Sequence, residues 1–104
     1  MEETLRGTWR ITMVLPVWTV VNELTLTPEA GGVLNGSLNT MDGNAPIPIT
    51  HGRWNKNHFL IRLSVGPGQL LLTGTMQGDA LSGVVVIDDT PDLLTGTKIP
   101  VTKQ

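Results

Sequence analysis

The sequence predicts an all-β protein, an eight-stranded antiparallel up-and-down β-barrel with no helices of note. One pattern, a Leu, a Gly and a third residue spaced two apart, occurs four times: Leu34-Asn-Gly36-Ser-Leu38, Leu72-Thr-Gly74-Thr-Met76, Leu81-Ser-Gly83-Val-Val85 and Leu94-Thr-Gly96-Thr-Lys98. A spacing of two is the period of a strand with one buried face, and glycine on that face lets a sheet bend sharply. The 12 glycines and 7 prolines mostly separate alternating runs, and no eleven-residue window has a helical period.

Alternation and turn residues define eight strands along the chain. They are Thr8–Leu15, Trp18–Thr27, Val33–Thr40, Ala45–Trp54, His58–Val65, Gln69–Met76, Ala80–Ile87 and Leu93–Val101. The connections are short, so consecutive strands should pair antiparallel. Pro46 and Pro48 weaken the fourth strand and predict an edge or a bulge near its start. Such a meander buries its apolar face most simply by closing into a barrel, and an open sandwich is the alternative.

Length, composition and charge limit the classes of function. The 104 residues predict a single β-barrel domain, residues 1–104, and the lack of cysteine excludes a disulfide framework. The net charge is −2 and the 7 Lys and Arg are dispersed, which argues against a nucleic-acid partner. The charged N-terminus lacks the apolar segment of a signal peptide, and the longest apolar run is too short to span a bilayer. We therefore expect a cytoplasmic protein without membrane contact.

The first and last strands carry a family resemblance. Gly7-Thr8-Trp9 opens the first strand, and Gly96-Thr97-Lys98 lies in the last. This combination resembles the calycins, the lipocalin-like and avidin-like barrels, in which a Gly-x-Trp is covered by an Arg or Lys from the last strand. The resemblance implies a calycin-like barrel whose closed end has a cation over an indole. It implies no particular ligand, because the chain lacks the flanking helix of lipocalins and the tyrosine of fatty-acid-binding proteins.

Alternation from an inward Trp9 divides the barrel interior into two layers. The closed layer is a plug of Trp9, Leu26, Leu34, Trp54, Phe59, Met76, Leu81 and Lys98. The residues predicted to line a ligand pocket above it are Met13, Trp18, Val20, Asn22, Leu38, Thr40, Ile47, Ile49, Leu63, Leu72 and Val85. Gly36, Gly74 and Gly83 lie between the layers, and their missing side chains favour a cavity.

Asn22 and His51 are the candidate catalytic residues, because this map places both polar side chains inside at mid-height. An amide and an imidazole that face an apolar pocket can orient a carbonyl or move a proton. The alternatives are a structural hydrogen bond, or a His51 turned outward by the bulge around Gly52 that brings Trp54 inside.

No cofactor or metal site is predicted. Asp88, Asp89 and Asp92 crowd one loop, but their spacing lacks the Gly and the distal Glu of an EF-hand loop, and turn chemistry explains them. His51 and His58 are expected to face opposite sides of the sheet, and no Cys or third His completes a zinc site.

Two apolar surfaces are predicted to contact other molecules. The run from Met13 to Trp18 at the open end is a lip that grips a ligand, a dimer contact or a loop folded over the core. Leu60, Leu71, Val84 and Val86 lie on the outer face of strands five to seven, where a solvated wall should be polar. They predict a homo-oligomer, with a homodimer as the simplest form.

Three functions fit this barrel. The first is binding of one mostly apolar small molecule in the interior. The second is a cofactor-independent isomerase or cyclase that acts on a flexible apolar substrate there, with His51 as acid or base. The third is a filled barrel that serves as a protein-interaction module. An interior void would exclude the third, and the sequence leaves open whether the protein is an enzyme.

Overall fold

The computed structural model describes residues 5–40 and 42–100, which form a closed barrel of eight antiparallel strands. The strands are β1 (Gly7–Val14), β2 (Thr19–Glu29), β3 (Val33–Asn39), β4 (Ile47–Asn55), β5 (His58–Val65), β6 (Gly68–Gln77), β7 (Ala80–Ile87) and β8 (Thr90–Lys98). A short 3₁₀ turn, η1 (Ala30–Gly32), joins β2 to β3. Each strand pairs with the next and β8 pairs with β1, which confirms the predicted fold class. No helix in the described residues is long and apolar enough to cross a membrane.

β5 and β7 have the predicted bounds, whereas the other six strands differ from the prediction at one or both ends, mostly by one or two residues. β8 begins at Thr90 rather than at Leu93, because Asp88 and Asp89 reverse the chain within two residues. Both adopt left-handed conformations, with φ of 50° and 65°, as tight hairpin turns require. Asp92, predicted in a loop, therefore lies in β8. β2 begins one residue later than expected, at Thr19. Met41 and the predicted last strand residue, Val101, lie outside the described residues.

A bulge in β4 sets the orientation of the candidate catalytic histidine. The register between β4 and β5 shifts at Thr50, after which His51 pairs with Arg62. An extra residue reverses the faces that follow it, so Gly52 is buried and His51 is exposed. The predicted inward position of His51 is wrong, because the bulge precedes this residue. His51 and His58 are both exposed, so the expectation that they face opposite sides is also wrong.

The closed end of the barrel is organised around Trp9. Trp9 pairs with Lys98 across β1 and β8, and the Lys98 ammonium nitrogen lies 5.1 Å from the centroid of the indole ring. The indole is fully buried, and its Nε1 donates a hydrogen bond to the Leu5 carbonyl at 3.0 Å. The predicted contact between the first and last strands is confirmed at this cation–π pair.

The barrel interior is a packed apolar core. Its buried side chains are Leu5, Trp9, Ile11, Met13, Leu24, Leu26, Leu34, Leu38, Phe59, Ile61, Leu63, Leu72, Met76, Leu81, Val85 and Leu94. A second set of apolar side chains is partly buried against this core: Leu15, Val20, Ile47, Ile49, Trp54, Leu70 and Ile87. Each fully buried side chain of this kind stabilises the fold by about 1.5–3 kcal/mol.

The mid-height glycines do not leave the space that was predicted. Gly74 and Gly83 are cross-strand partners on β6 and β7. A Cβ on Gly83 would overlap the carbonyl oxygen of Thr73, and a Cβ on Gly74 would overlap that of Ser82. Neighbouring backbone therefore occupies the volume of the missing side chains. Glycine is needed here because the strands approach too closely for any side chain.

Candidate functional site

Most of the residues predicted to line a pocket belong to the packed core. Buried or partly buried residues of that set are Met13, Val20, Asn22, Leu38, Ile47, Ile49, Leu63, Leu72 and Val85. Four cavities formed by described residues lie on the surface of the barrel, and none is lined by any of these nine. A ligand in the interior stays a prediction, and the packing of the core does not favour it.

Asn22 is the one buried polar side chain in the described part of the chain, with 3% of its surface exposed. It pairs with the buried Ile11 across β1 and β2, as the predicted inward orientation requires. Both histidines of the chain are exposed, so Asn22 has no imidazole beside it in the interior. The predicted acid–base pair is therefore not assembled.

Trp18 and Thr40 do not line the interior as predicted. Trp18 is 65% exposed, and its carbonyl accepts a hydrogen bond from the Leu15 amide at 2.9 Å, which closes a turn before β2 begins. Thr40 is half-buried and donates its hydroxyl to Asp42 Oδ1 at 2.7 Å. This hydrogen bond and one from the Asn44 amide lower the pKa of the Asp42 carboxyl. Thr40 thus stabilises the conformation of a loop.

The largest of the four cavities is an open cleft of about 600 Å³ on the outer wall, between η1 and the hairpin of β4 and β5. We call it the wall cleft. It is lined by Gly31, Gly32, Arg53, Trp54, Asn55, His58, Phe59, Leu60 and Thr73. Its volume lies within the range of about 300–1,000 Å³ that is usual for small-molecule sites.

The β4–β5 hairpin places the polar side chains of the wall cleft on one face. Arg53 pairs with Leu60, and Asn55 pairs with His58. Arg53 and His58 are therefore diagonal neighbours, a relation that puts residues about 7–8 Å apart. The described lining contains no Asp or Glu. A guanidinium, an imidazole and an amide thus line the same cleft, and its described lining has no carboxylate to neutralise them.

The end of β2 and the η1 turn hold the floor of the wall cleft in place. Trp54 Nε1 donates a hydrogen bond to the Glu29 carbonyl at 3.2 Å. Gly31 and Gly32 follow with φ of 80° and 78°, and a Cβ on Gly32 would lie 3.1 Å from the Trp54 carbonyl oxygen. Gly32 lets the η1 turn lie close against β4, and both glycines have a left-handed φ in which a larger residue would be strained.

The far end of the hairpin is also fixed. Asn57 in the β4–β5 turn donates its side-chain amide to the Met76 carbonyl at 3.2 Å, and the Met76 amide donates to the Asn57 carbonyl at 2.9 Å. The turn is thereby joined to β6. Arg53 and His58 consequently project from a rigid support, which favours pre-organised binding.

Reasoning from the sequence did not identify the wall cleft. The signal was present, since Arg53 and Asn55 alternate on β4 and His58 follows across a short turn. An outward face with polar residues is usual for a barrel wall, so nothing in the pattern distinguished this hairpin from a solvated surface. The position of η1 over the hairpin creates the concavity, and the sequence does not encode that position locally.

No known protein-family model matches the chain, and no curated protein matches it significantly.

Proposed function

We propose that the protein binds a small organic carboxylate in the wall cleft. The observation that carries this proposal is that Arg53, Asn55 and His58 line the largest of the four cavities, with no acidic side chain in its described lining. The binding of a small molecule agrees with the first function predicted from the sequence. The location differs, because the cleft lies outside the packed interior.

Arg53 is the residue best suited to hold the carboxylate. A guanidinium forms two parallel hydrogen bonds to a carboxylate, and these charge-assisted bonds are stronger than neutral ones. His58 offers a ring N–H from the neighbouring strand, and Asn55 has an amide that both donates and accepts. The three groups contact the ligand from two strands, so they determine its orientation and select for its negative charge.

The apolar part of the ligand lies against Trp54 and Leu60 in this proposal, since the Phe59 side chain is buried in the core. These side chains line the cleft beside the polar group. An indole and an aliphatic side chain give a flat aromatic body a surface on which to stack. The expected ligand is therefore an aromatic or branched carboxylate rather than a bare inorganic anion.

The geometry favours binding over catalysis. The Thr73 hydroxyl, which lines the cleft, donates to the Phe59 carbonyl at 3.1 Å and so serves the sheet. A nucleophilic hydroxyl needs to donate its hydrogen to a base, and the Thr73 hydroxyl donates to a backbone carbonyl instead. An isomerase or cyclase in the interior would use His51 as its acid or base. His51 is exposed, so its position does not support this alternative.

We also infer a relation to the calycins. It is supported by the closed eight-stranded meander and by Lys98 over Trp9 at the closed end. Under this inference the chain keeps the closed end of that architecture, while its interior is filled and its ligand site lies on the wall.

The first test is an NMR titration of the protein with benzoate, using benzamide as a neutral ligand of nearly the same shape. We expect benzoate to shift the amide signals of Gly31, Gly32 and Arg53, and benzamide to bind at least about tenfold more weakly. Arg53→Gln should weaken benzoate binding by about tenfold or more, because a hydrogen bond to a charged group contributes about 1.5–3 kcal/mol.

Arg10→Gln is the matched control, since Arg10 is an exposed arginine on β1, away from the wall cleft. It should leave benzoate affinity unchanged. Equal weakening by Arg10→Gln and Arg53→Gln would show a general charge effect and contradict the proposal. So would benzoate shifts confined to residues outside the cleft.

A further inference from the structure

A second cavity, of about 320 Å³, lies at the open end of the barrel, where the β1–β2 turn faces the β7–β8 turn. We call it the rim cavity. Its walls are apolar on one side, with Leu15, Pro16, Val17 and Trp18, and its other side includes Ile87, Asp88, Thr90 and Asp92. It shares no lining residue with the wall cleft.

The apolar wall of the rim cavity is a defined turn. The Leu15 amide donates to the Trp18 carbonyl at 2.9 Å, which closes the bend at Pro16 and Val17, and the proline ring fixes the φ of Pro16. The turn displays Val17 at 85% exposure and Trp18 at 65%. Large apolar side chains held in water by an ordered turn indicate a binding surface.

The opposite wall carries a carboxylate that faces inward. Asp92 pairs with Val85, which is fully buried, and it lies two residues before the buried Leu94 on β8. Alternation therefore places the Asp92 side chain on the inner face of β8 at the mouth. It is half-buried, and the described lining of the cavity contains no Lys or Arg. A carboxylate beside an apolar wall, with no cationic side chain in the described lining, attracts a cation that carries an apolar body.

We propose that the rim cavity binds a small protonated amine with an apolar body. The ammonium group lies at the Asp92 carboxylate, with Asp88 adding to the negative potential. The body of the amine packs on the Trp18 indole and against Leu15. The face of an indole ring also attracts a cation. The Asp92 charge and the apolar wall of the cavity therefore favour the same ligand. This site and its ligand are independent of the carboxylate site in the wall cleft.

Three probes of similar shape test this inference: phenethylammonium, the neutral 2-phenylethanol and the anionic 3-phenylpropanoate. The readout is the NMR signal of the Trp18 indole N–H, identified by its loss in Trp18→Leu. We expect phenethylammonium to shift this signal and the Asp92 amide, with 2-phenylethanol at least about tenfold weaker. The anion should not shift them.

Asp92→Asn retains the shape of the side chain and removes its charge, and it should weaken phenethylammonium binding by about tenfold or more. Asp79→Asn is the control, because Asp79 lies in the exposed β6–β7 turn outside the cavity. Asp88→Asn gives a second variant if Asp92→Asn does not fold, and it should weaken binding in the same direction. Equal affinity of the alcohol and the amine would overturn the inference, as would unchanged binding in Trp18→Leu.

Each of the two binding proposals can be contradicted without affecting the other. Loss of benzoate binding in the wall cleft leaves the phenethylammonium result unaffected, since the cavities share no lining residue. Conversely, an alcohol that binds as well as the amine leaves the carboxylate proposal unaffected.

Discussion

At the scale of single residues, the contact between Lys98 and Trp9 shows how a short motif determines a tertiary contact. The two residues are partners in the β1–β8 ladder, and the ammonium lies 5.1 Å from the ring centroid. The methylene carbons of Lys98 also lie close to Gly7, at the start of the same Gly-x-Trp motif. The side chain therefore contributes through its stem and through its charge.

Lys98→Met tests the contribution of the charge, because methionine keeps most of the stem and removes the ammonium. We expect a loss of about 0.5–2 kcal/mol in the free energy of unfolding, the range of cation–π interactions from exposed to desolvated sites. Denaturation by urea, followed by Trp fluorescence, measures it. Lys56→Met, in the exposed β4–β5 turn, is the control and should change stability by less than about 0.5 kcal/mol. A larger loss in the control than in Lys98→Met would contradict this account.

His51 and Asp92 show the opposite case, since the sequence predicts the wrong orientation for His51 and the wrong element for Asp92. The sequence placed His51 inside and Asp92 in a loop. A bulge at Thr50 turns His51 outward, and the two-residue turn at Asp88 and Asp89 brings Asp92 into β8. In both cases a shift of one or a few residues decided which face of the sheet carries the side chain.

At the scale of the strands, paired glycines determine how closely β6 and β7 approach. Gly74 and Gly83 face each other, and each occupies a position where a Cβ would overlap the backbone of the adjacent strand. Backbone cannot move aside as the end of a flexible side chain can. The repeated Leu-x-Gly pattern thus marks close strand approach, and the free space that these glycines predict from the sequence is not present.

Gly83→Ala should destabilise the barrel by about 2 kcal/mol or more, because the added methyl group collides with backbone. Thermal unfolding followed by circular dichroism measures the effect. The control is Gly68→Ala, since a Cβ there would lie 3.8 Å from its nearest neighbour, the Val65 carbonyl oxygen, at ordinary contact distance. This change should shift stability by less than about 1 kcal/mol. Similar losses in both variants would indicate a general intolerance of alanine in β6 and β7.

At the scale of the whole molecule, closure of the barrel leaves an uncharged row of side chains on its outer wall. Cross-strand partners link Leu60, Thr73, Val84, Leu93, Val14 and Thr19 from β5 round to β2. Leu93 is 55% exposed and Val14 is 41% exposed. Six strands span about 24 Å at the usual spacing of about 4.8 Å. The row extends the outer face predicted from Leu60, Leu71, Val84 and Val86.

Self-association through the outer face of β5 to β7, with Leu60, Leu71, Val84 and Val86, stays a prediction, with a second copy of the chain as the partner. In a two-fold symmetric dimer the same surface of both copies is in contact. An uncharged row of side chains can form such an interface without burying like charges against each other. Sedimentation velocity should show a dimer at micromolar concentration, and Leu93→Glu should convert it to a monomer. Asn35→Glu, on the exposed face of β3, is the control and should remain dimeric. A monomeric wild-type protein at hundreds of micromolar would contradict the prediction.

The sequence by itself determined the strands, their order and the pairing of Trp9 with Lys98, because these follow from local alternation, short turns and the closure of a meander. The inward position of Asn22 followed from the same alternation. The tertiary structure alone decided that the core is filled, where the bulge falls and which surface residues converge. Those features depend on the distance between strands and on how η1 and the turns pack over the wall. Such distances are set by the whole barrel, so no local pattern of residues predicts the wall cleft or the rim cavity.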